Sequence, residues 1–122
     1  MDDNRSLIKS FGYAFQGFWH ALRFNRNLRI HLAIALAVIA LSIYFHVTPF
    51  EMGILGVMIL LVISSEMINT AIEEMVNLIT QEHKREAKIA KDVAAGMVLV
   101  ASVGSVIVGF LIFIPYILKL FY

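Results

Sequence analysis

The chain has no cysteine among its 122 residues, which excludes disulfides, thiolate-held zinc and iron–sulfur chemistry. Charge is scarce too. Asp, Glu, Lys and Arg make up 16% of the residues and balance to +1, so the basic surface that a nucleic-acid partner needs is missing. Proline occurs only at positions 49 and 115. No GxxxxGK[ST] loop, GxGxxG fingerprint, HExxH pair or GxSxG elbow occurs, which removes the standard soluble devices for nucleotides and hydrolysis. Repeats, low-complexity tracts and flexible linkers are absent as well, so residues 1–122 read as one domain.

What fills the chain instead is apolar. At 60% hydrophobic and a mean hydropathy of +0.81, it is too apolar for a soluble domain of this size, which has a large surface to keep wet. The reading is an all-α integral membrane protein. Its longest uncharged run, Val93 to Leu118, outlasts a ~30 Å hydrocarbon core at 1.5 Å per residue. Spans are expected at about 29–47, 50–79 and 92–119. Between the first two lies HVTPFE, where Pro49 suits the first turn of a helix. The second connection, TQEHKREAKIAKD, holds four of the ten Lys and Arg residues.

Orientation follows from this asymmetry. Arg5, Lys9, Arg23, Arg26 and Arg29 precede the first span, the connection over 80–92 is basic, and HVTPFE has no Lys or Arg. The positive-inside rule then puts the amino terminus and the 80–92 loop in the cytoplasm. Residues 3–25 carry Leu7, Ile8, Phe11, Phe15, Phe18 and Leu22 at helical spacing, with Lys9, Gln16, His20 and Arg23 opposite. That pattern is an amphipathic helix in the cytoplasmic interface, with Trp19 at headgroup level, and not a cleavable signal.

The second span holds the chemistry. In SSEMINTAIEEMVNLI, Glu66, Asn69, Glu73 and Asn77 share one stripe, while Ile68, Ile72, Met75 and Val76 take the other faces. Carboxylates at membrane depth are costly unless they face a partner, water or an ion, so the stripe marks a functional site. Glu82, His83, Lys84, Lys91 and Asp92 lie near its cytoplasmic end. Carboxylates close to lysines suit a magnesium-bound polyphosphate, and a further carboxylate suits proton transfer from an attacking hydroxyl.

EMINTAIEE at 66–74, followed by AKIAKDVAAG at 87–96, resembles the signature of the small bacterial membrane kinases, the diacylglycerol kinase and undecaprenol kinase family. The likeness covers essentially the whole chain, including Gly12, Tyr13 and Gly17, and RNLRIH at 26–31 is similar to its Gram-positive branch. It implies ATP-dependent phosphorylation of a lipid alcohol, undecaprenol first and diacylglycerol as the alternative, in the bacterial plasma membrane. It implies a homotrimer of three-span subunits with a surface helix and shared sites. Glu66 matches the catalytic base, and Asn69, Trp19 and Ala95 join it at the lipid acceptor. Tyr13, Asn25, Glu73, Glu82, His83, Lys84, Lys91 and Asp92 match positions that contact ATP, and Glu73 with Asn25 would hold Mg²⁺. One departure stands out. At position 25 the family normally has a glutamate, and this chain offers an uncharged amide.

Plainer roles compete for several of these residues. Glu74 lies off the stripe centre and reads as a partner for a basic residue, while Lys84, Arg85 and Lys88 read as orienting charges. Lys91 and Asp92 fit a helix start. His20, His31 and His46 share no spacing and read as interfacial, not as a metal set. The third span's Gly96, Ala101, Gly104, Ser105 and Gly109 offer a small-residue packing face. Two other function classes use membrane carboxylates or accept Asn25: an ion-coupled transporter or channel, and a silent assembly subunit. The first needs polar groups along a whole path, which Met52 to Leu61 do not supply.

Overall fold

The computed structural model describes residues 3–122, and side chains from Arg5 onward. These residues form four helices in chain order: α1 (Asp3–Phe24), α2 (Arg26–Phe45), α3 (Pro49–Ile79) and α4 (Arg85–Phe121). The last three are long and apolar enough to cross a membrane, which makes the chain a multi-pass membrane protein with a surface helix before its first span.

Local chemistry sets each boundary. Asn25 breaks the helical path between α1 and α2 and caps α2, its side-chain oxygen accepting from the Leu28 N–H at 3.1 Å. The Arg29 guanidinium then donates to the Leu22 and Arg23 carbonyls at 3.0 and 2.6 Å, closing the free end of α1 onto the start of α2. His46 ends α2 in the left-handed region at φ 54°. Pro49 occupies the first turn of α3 behind a capping box, in which Thr48 and Glu51 each bond the other's backbone N–H.

Packing follows a repeat of seven: Leu28, Ala35 and Ser42 are buried on α2, and Leu55, Val62, Asn69 and Val76 on α3. That period is the one at which helices keep a single seam facing a neighbour. The most extensive pairing is α3 with α4. At the end of the bundle away from α1, Leu55, Ile112 and Phe113 form the core with Phe45 and Tyr116 around them. Tyr116 donates to Glu51 there, tying α4 to the first turn of α3. Buried Ser42 and Ser65 satisfy their hydroxyls on the Val38 and Val62 carbonyls, so they cost the bundle no orphan donor.

Two expectations change. The connection over 80–92 shortens to 80–84, because Arg85–Asp92 coil into the first two turns of α4. Lys91 and Asp92 therefore sit inside a helix instead of opening one, and the cap position is Lys84, without a side-chain cap bond. Within one chain the glycines of α4 are loosely packed. A Cβ at Gly96 or Gly109 would touch nothing, and one at Gly104 would meet only Met58 at 3.7 Å. The surface helix keeps its expected bounds to within a residue. It packs through half-buried Phe18 and Leu22 and buried Ala21, and leaves Leu7, Ile8, Phe11 and Phe15 exposed, as an interfacial helix requires.

Candidate functional site

Where α3 approaches the α1–α2 junction, its polar stripe is folded into a bonded cluster. Glu66 is 1% exposed and Asn69 8%, while Glu73 and Asn77, one and two turns on, are exposed. The stripe begins on the packed seam and winds out to water within three turns. A carboxylate as enclosed as Glu66 is stable only with partners, and both its oxygens have one. Asn25 donates from Nδ2 to Glu66 Oε2 at 3.0 Å, and His31 Nε2 lies 3.4 Å from Oε1. Thr70 donates to the Glu66 carbonyl at 3.1 Å and accepts from Asn25 Nδ2 at 2.7 Å.

Beyond Glu66, Asn69 Nδ2 donates to Glu73 Oε1 at 3.3 Å, which leaves the buried Asn69 Oδ1 without a partner among the described residues. A buried acceptor left open in this way is a place for a ligand's hydroxyl or a water. Lys91 reaches across from α4 to Asn77 Oδ1 at 2.8 Å. Lys88 and Asp92 form an ion pair at 2.6 Å, and Lys84 and Glu82 one at 3.8 Å. His20 Nε2 stands 3.9 Å from Glu74, which gives Glu74 the interfacial partner expected of it.

On the side facing the bilayer interior, a cavity of about 420 Å³ lies between α2, α3 and α4. Its walls are apolar, with Ile34, Val38, Leu55, Ile59 and Phe113 among them, and His31 stands at one end. The cluster thus has a wet side at Glu73 and Lys91 and a dry side at His31.

A sequence model of the family described as prokaryotic diacylglycerol kinase matches residues 12–113. The chain belongs to that family. It is 44% identical over 109 residues to the undecaprenol kinase of Bacillus subtilis strain 168, covering 89% of each chain. It is 40% identical over 116 residues to the diacylglycerol kinase of a Synechocystis strain, covering 94% of this chain and 66% of that protein. Both family and relatives carry lipid kinase names, and this chain is a lipid kinase of the membrane.

The expected site residues fall into three groups. Asn25, Glu66, Asn69 and Glu73 are brought into one cluster by α2 and α3. Glu82, Lys84, Lys91 and Asp92 lie at the α3–α4 turn or just past it, each paired locally. Tyr13, Trp19, His83 and Ala95 are exposed and make no hydrogen bond to the cluster. The pairing of Asn25 with Glu73 expected for a metal site does not form. The Asn25 oxygen is taken by the α2 cap and its nitrogen by Glu66 and Thr70.

For Mg²⁺, which in kinases uses one or two carboxylates plus phosphate oxygens and water, exposed Glu73 is a fitting ligand. Its Oε2 has no protein donor among the described residues, which also hold no cluster of three or more His, Asp or Glu fit for a metal. His31 is the residue that sequence reading set aside and the structure brings in. Its signal is its place one turn before Ile34 and Ala35 and two before Val38, on the stripe of α2 that lines the cavity.

Proposed function

We propose that this protein is an ATP-dependent kinase that phosphorylates undecaprenol at the membrane surface, with Glu66 as the base. In the reaction the acceptor's hydroxyl proton passes to the Glu66 carboxylate while its oxygen bonds the γ-phosphorus. The bond from that phosphorus to the β,γ-bridging oxygen breaks, and ADP leaves with the electron pair. The observation that carries this reading is the enclosed carboxylate of Glu66, next to His31 at the end of a dry cavity and on the same stripe as exposed Glu73. An alcohol from the bilayer and a nucleotide from water can meet in such a place.

Asn69, with its open acceptor, orients the reacting hydroxyl, and Trp19 and Ala95 belong to the lipid's approach. Glu73 holds Mg²⁺ with the phosphates, and the ion neutralises phosphoryl charge when bound. Lys91, with Lys84, Glu82, His83, Asp92 and Tyr13, serves the nucleotide. The amino terminus and the α3–α4 turn face the cytoplasm of a bacterial cell, where ATP is, in keeping with their Lys and Arg excess. Three copies assemble with sites completed between neighbours, which would cover apolar side chains that a lone subunit leaves open at the cavity.

Undecaprenol is preferred to diacylglycerol because the relative bearing its name matches at 44% over nearly the full length of both chains. Purified protein in mixed micelles with Mg-ATP, offered each lipid separately, tests the reaction and its acceptor together. Faster transfer to undecaprenol is expected. Glu66→Gln should lose about 10²- to 10⁴-fold in turnover and keep its nucleotide affinity, as removal of a general base does. Transfer to neither lipid by folded protein refutes the kinase reading, and full turnover by Glu66→Gln refutes the base.

A further inference from the structure

Three observations about the surroundings of Glu66 go beyond its role as a base. The first concerns Asn25. Its Oδ1 must face the Leu28 N–H to cap α2, and that bond fixes which way round the amide sits. The two hydrogens of Nδ2 then point at Glu66 Oε2 and Thr70 Oγ1, so every polar atom of the amide is engaged. A side chain bonded at three points holds whatever it touches in one place. The second concerns His31, whose Nε2 lies 3.4 Å from Oε1 of the same carboxylate, a few tenths of an ångström beyond an ordinary hydrogen bond. The third is that His31 lines the apolar cavity while Glu66 does not, so the imidazole stands between that cavity and the base.

We propose that Asn25 and His31 are positioning residues that clasp the two oxygens of Glu66, and that His31 sets the carboxylate at the mouth of the lipid-side cavity. The inference rests on the reading of Glu66 as the base. Glutamate has three rotatable bonds, and on a long helix its carboxylate is free to swing unless something fixes it. Reaction rates fall steeply with small misplacements of a reacting group, so a clasp of this kind acts on turnover and not on nucleotide binding. The proposal also accounts for the amide at position 25. A glutamate there could not donate to Glu66, and it would place a second carboxylate beside the first.

Conservative variants separate positioning from folding. Asn25→Asp keeps a good helix cap, since Asp and Asn serve equally there, but removes both N–H donors. His31→Leu continues the apolar stripe of α2 and removes the imidazole, whereas His31→Gln restores an N–H near the position of Nε2. Each is assayed for kcat and for KM toward Mg-ATP and undecaprenol, with unfolding in micelles measured alongside. Asn25→Asp and His31→Leu should each lower kcat about 10- to 100-fold with KM for Mg-ATP unchanged, and His31→Gln should recover most of that loss. In a Glu66→Gln background the same changes should cost nothing further, because they act through the carboxylate.

Wild-type kcat in Asn25→Asp and His31→Leu, with Glu66→Gln inactive, overturns the clasp and leaves the base standing. An active Glu66→Gln removes the base first and the clasp with it. A lower Mg²⁺ midpoint with undiminished kcat in Asn25→Asp would place position 25 in the metal's shell and overturn the inference as well.

Discussion

Glu66→Gln should yield a protein that is less active and more stable. Glu66 is 1% exposed, and a carboxylate that enclosed gives up several kcal/mol of hydration, which its neighbours return only in part. Asn25 contributes one neutral hydrogen bond at 3.0 Å, and His31 stands at 3.4 Å, long for a strong ion pair. Glutamine has the same length, its oxygen can still accept from Asn25, and its amide can face the His31 ring. With the packing and hydrogen bonds kept and the burial of charge removed, a gain of about 1–2 kcal/mol is expected, or roughly 5- to 30-fold in the folding equilibrium.

Denaturant unfolding in mixed micelles measures it, with the kinase assay run on the same samples. Protein concentration must be held fixed, since the proposed assembly would tie any midpoint to it. A loss of stability in Glu66→Gln would refute the argument, for it would mean that the charge holds the bundle together and is not a cost borne for chemistry.

Glu73→Gln should raise the Mg²⁺ concentration for half-maximal activity by about tenfold, since an uncharged amide is a weaker magnesium ligand, and an unchanged magnesium titration would take Glu73 out of the metal site. The native absence of cysteine makes topology direct to test. Single cysteines at Phe50, 77% exposed beside the α2–α3 turn, and at exposed Gln81 should label from opposite faces of sealed vesicles, and labelling of both from one face would refute the three-span arrangement.

The helices were legible where one pattern spoke alone. The stripe of Leu7, Phe11, Phe15 and Phe18 gives α1, and Pro49 as a first-turn proline gives the start of α3. The start of α4 is not legible in the same way, because its first two turns are charged and resemble a loop. Arg85, Glu86, Ala87 and Lys88 are good helix formers, and as the opening turns of a long helix they need no apolar face of their own. In the site, Glu66, Asn69 and Glu73 could be found from the cost of carboxylates in a membrane helix. The bonds of Asn25 could not. Its neighbours Glu66 and Thr70 lie more than forty positions along the chain, and the demand of α2 for a cap turns the amide nitrogen, not the oxygen, toward them. His31 was hidden in the same way, by a partner that only the pairing of α2 with α3 supplies.

The two ends of α3 decide between a kinase and a conductor of ions. Polar groups occur at both: Glu51 with Tyr116 at one, Glu66 with Asn25 and His31 at the other. Fifteen residues separate the two glutamates, about 22 Å at 1.5 Å per residue, most of a hydrocarbon core. A proton or ion moving between them would need stepping stones over that length. Apart from Ser105, whose hydroxyl is spent on the Ser102 carbonyl, the space is lined by apolar side chains: Leu55, Met58, Ile59 and Val62, faced by Val38 from α2 and by Val106, Phe110 and Phe113 from α4. Hydration of such walls is unfavourable, and a cavity lined this way holds apolar matter in preference to water. The cavity therefore runs from His31 toward the bilayer interior as a space suited to a hydrocarbon chain and unsuited to ions, in keeping with a kinase that takes one aqueous and one membrane-borne substrate.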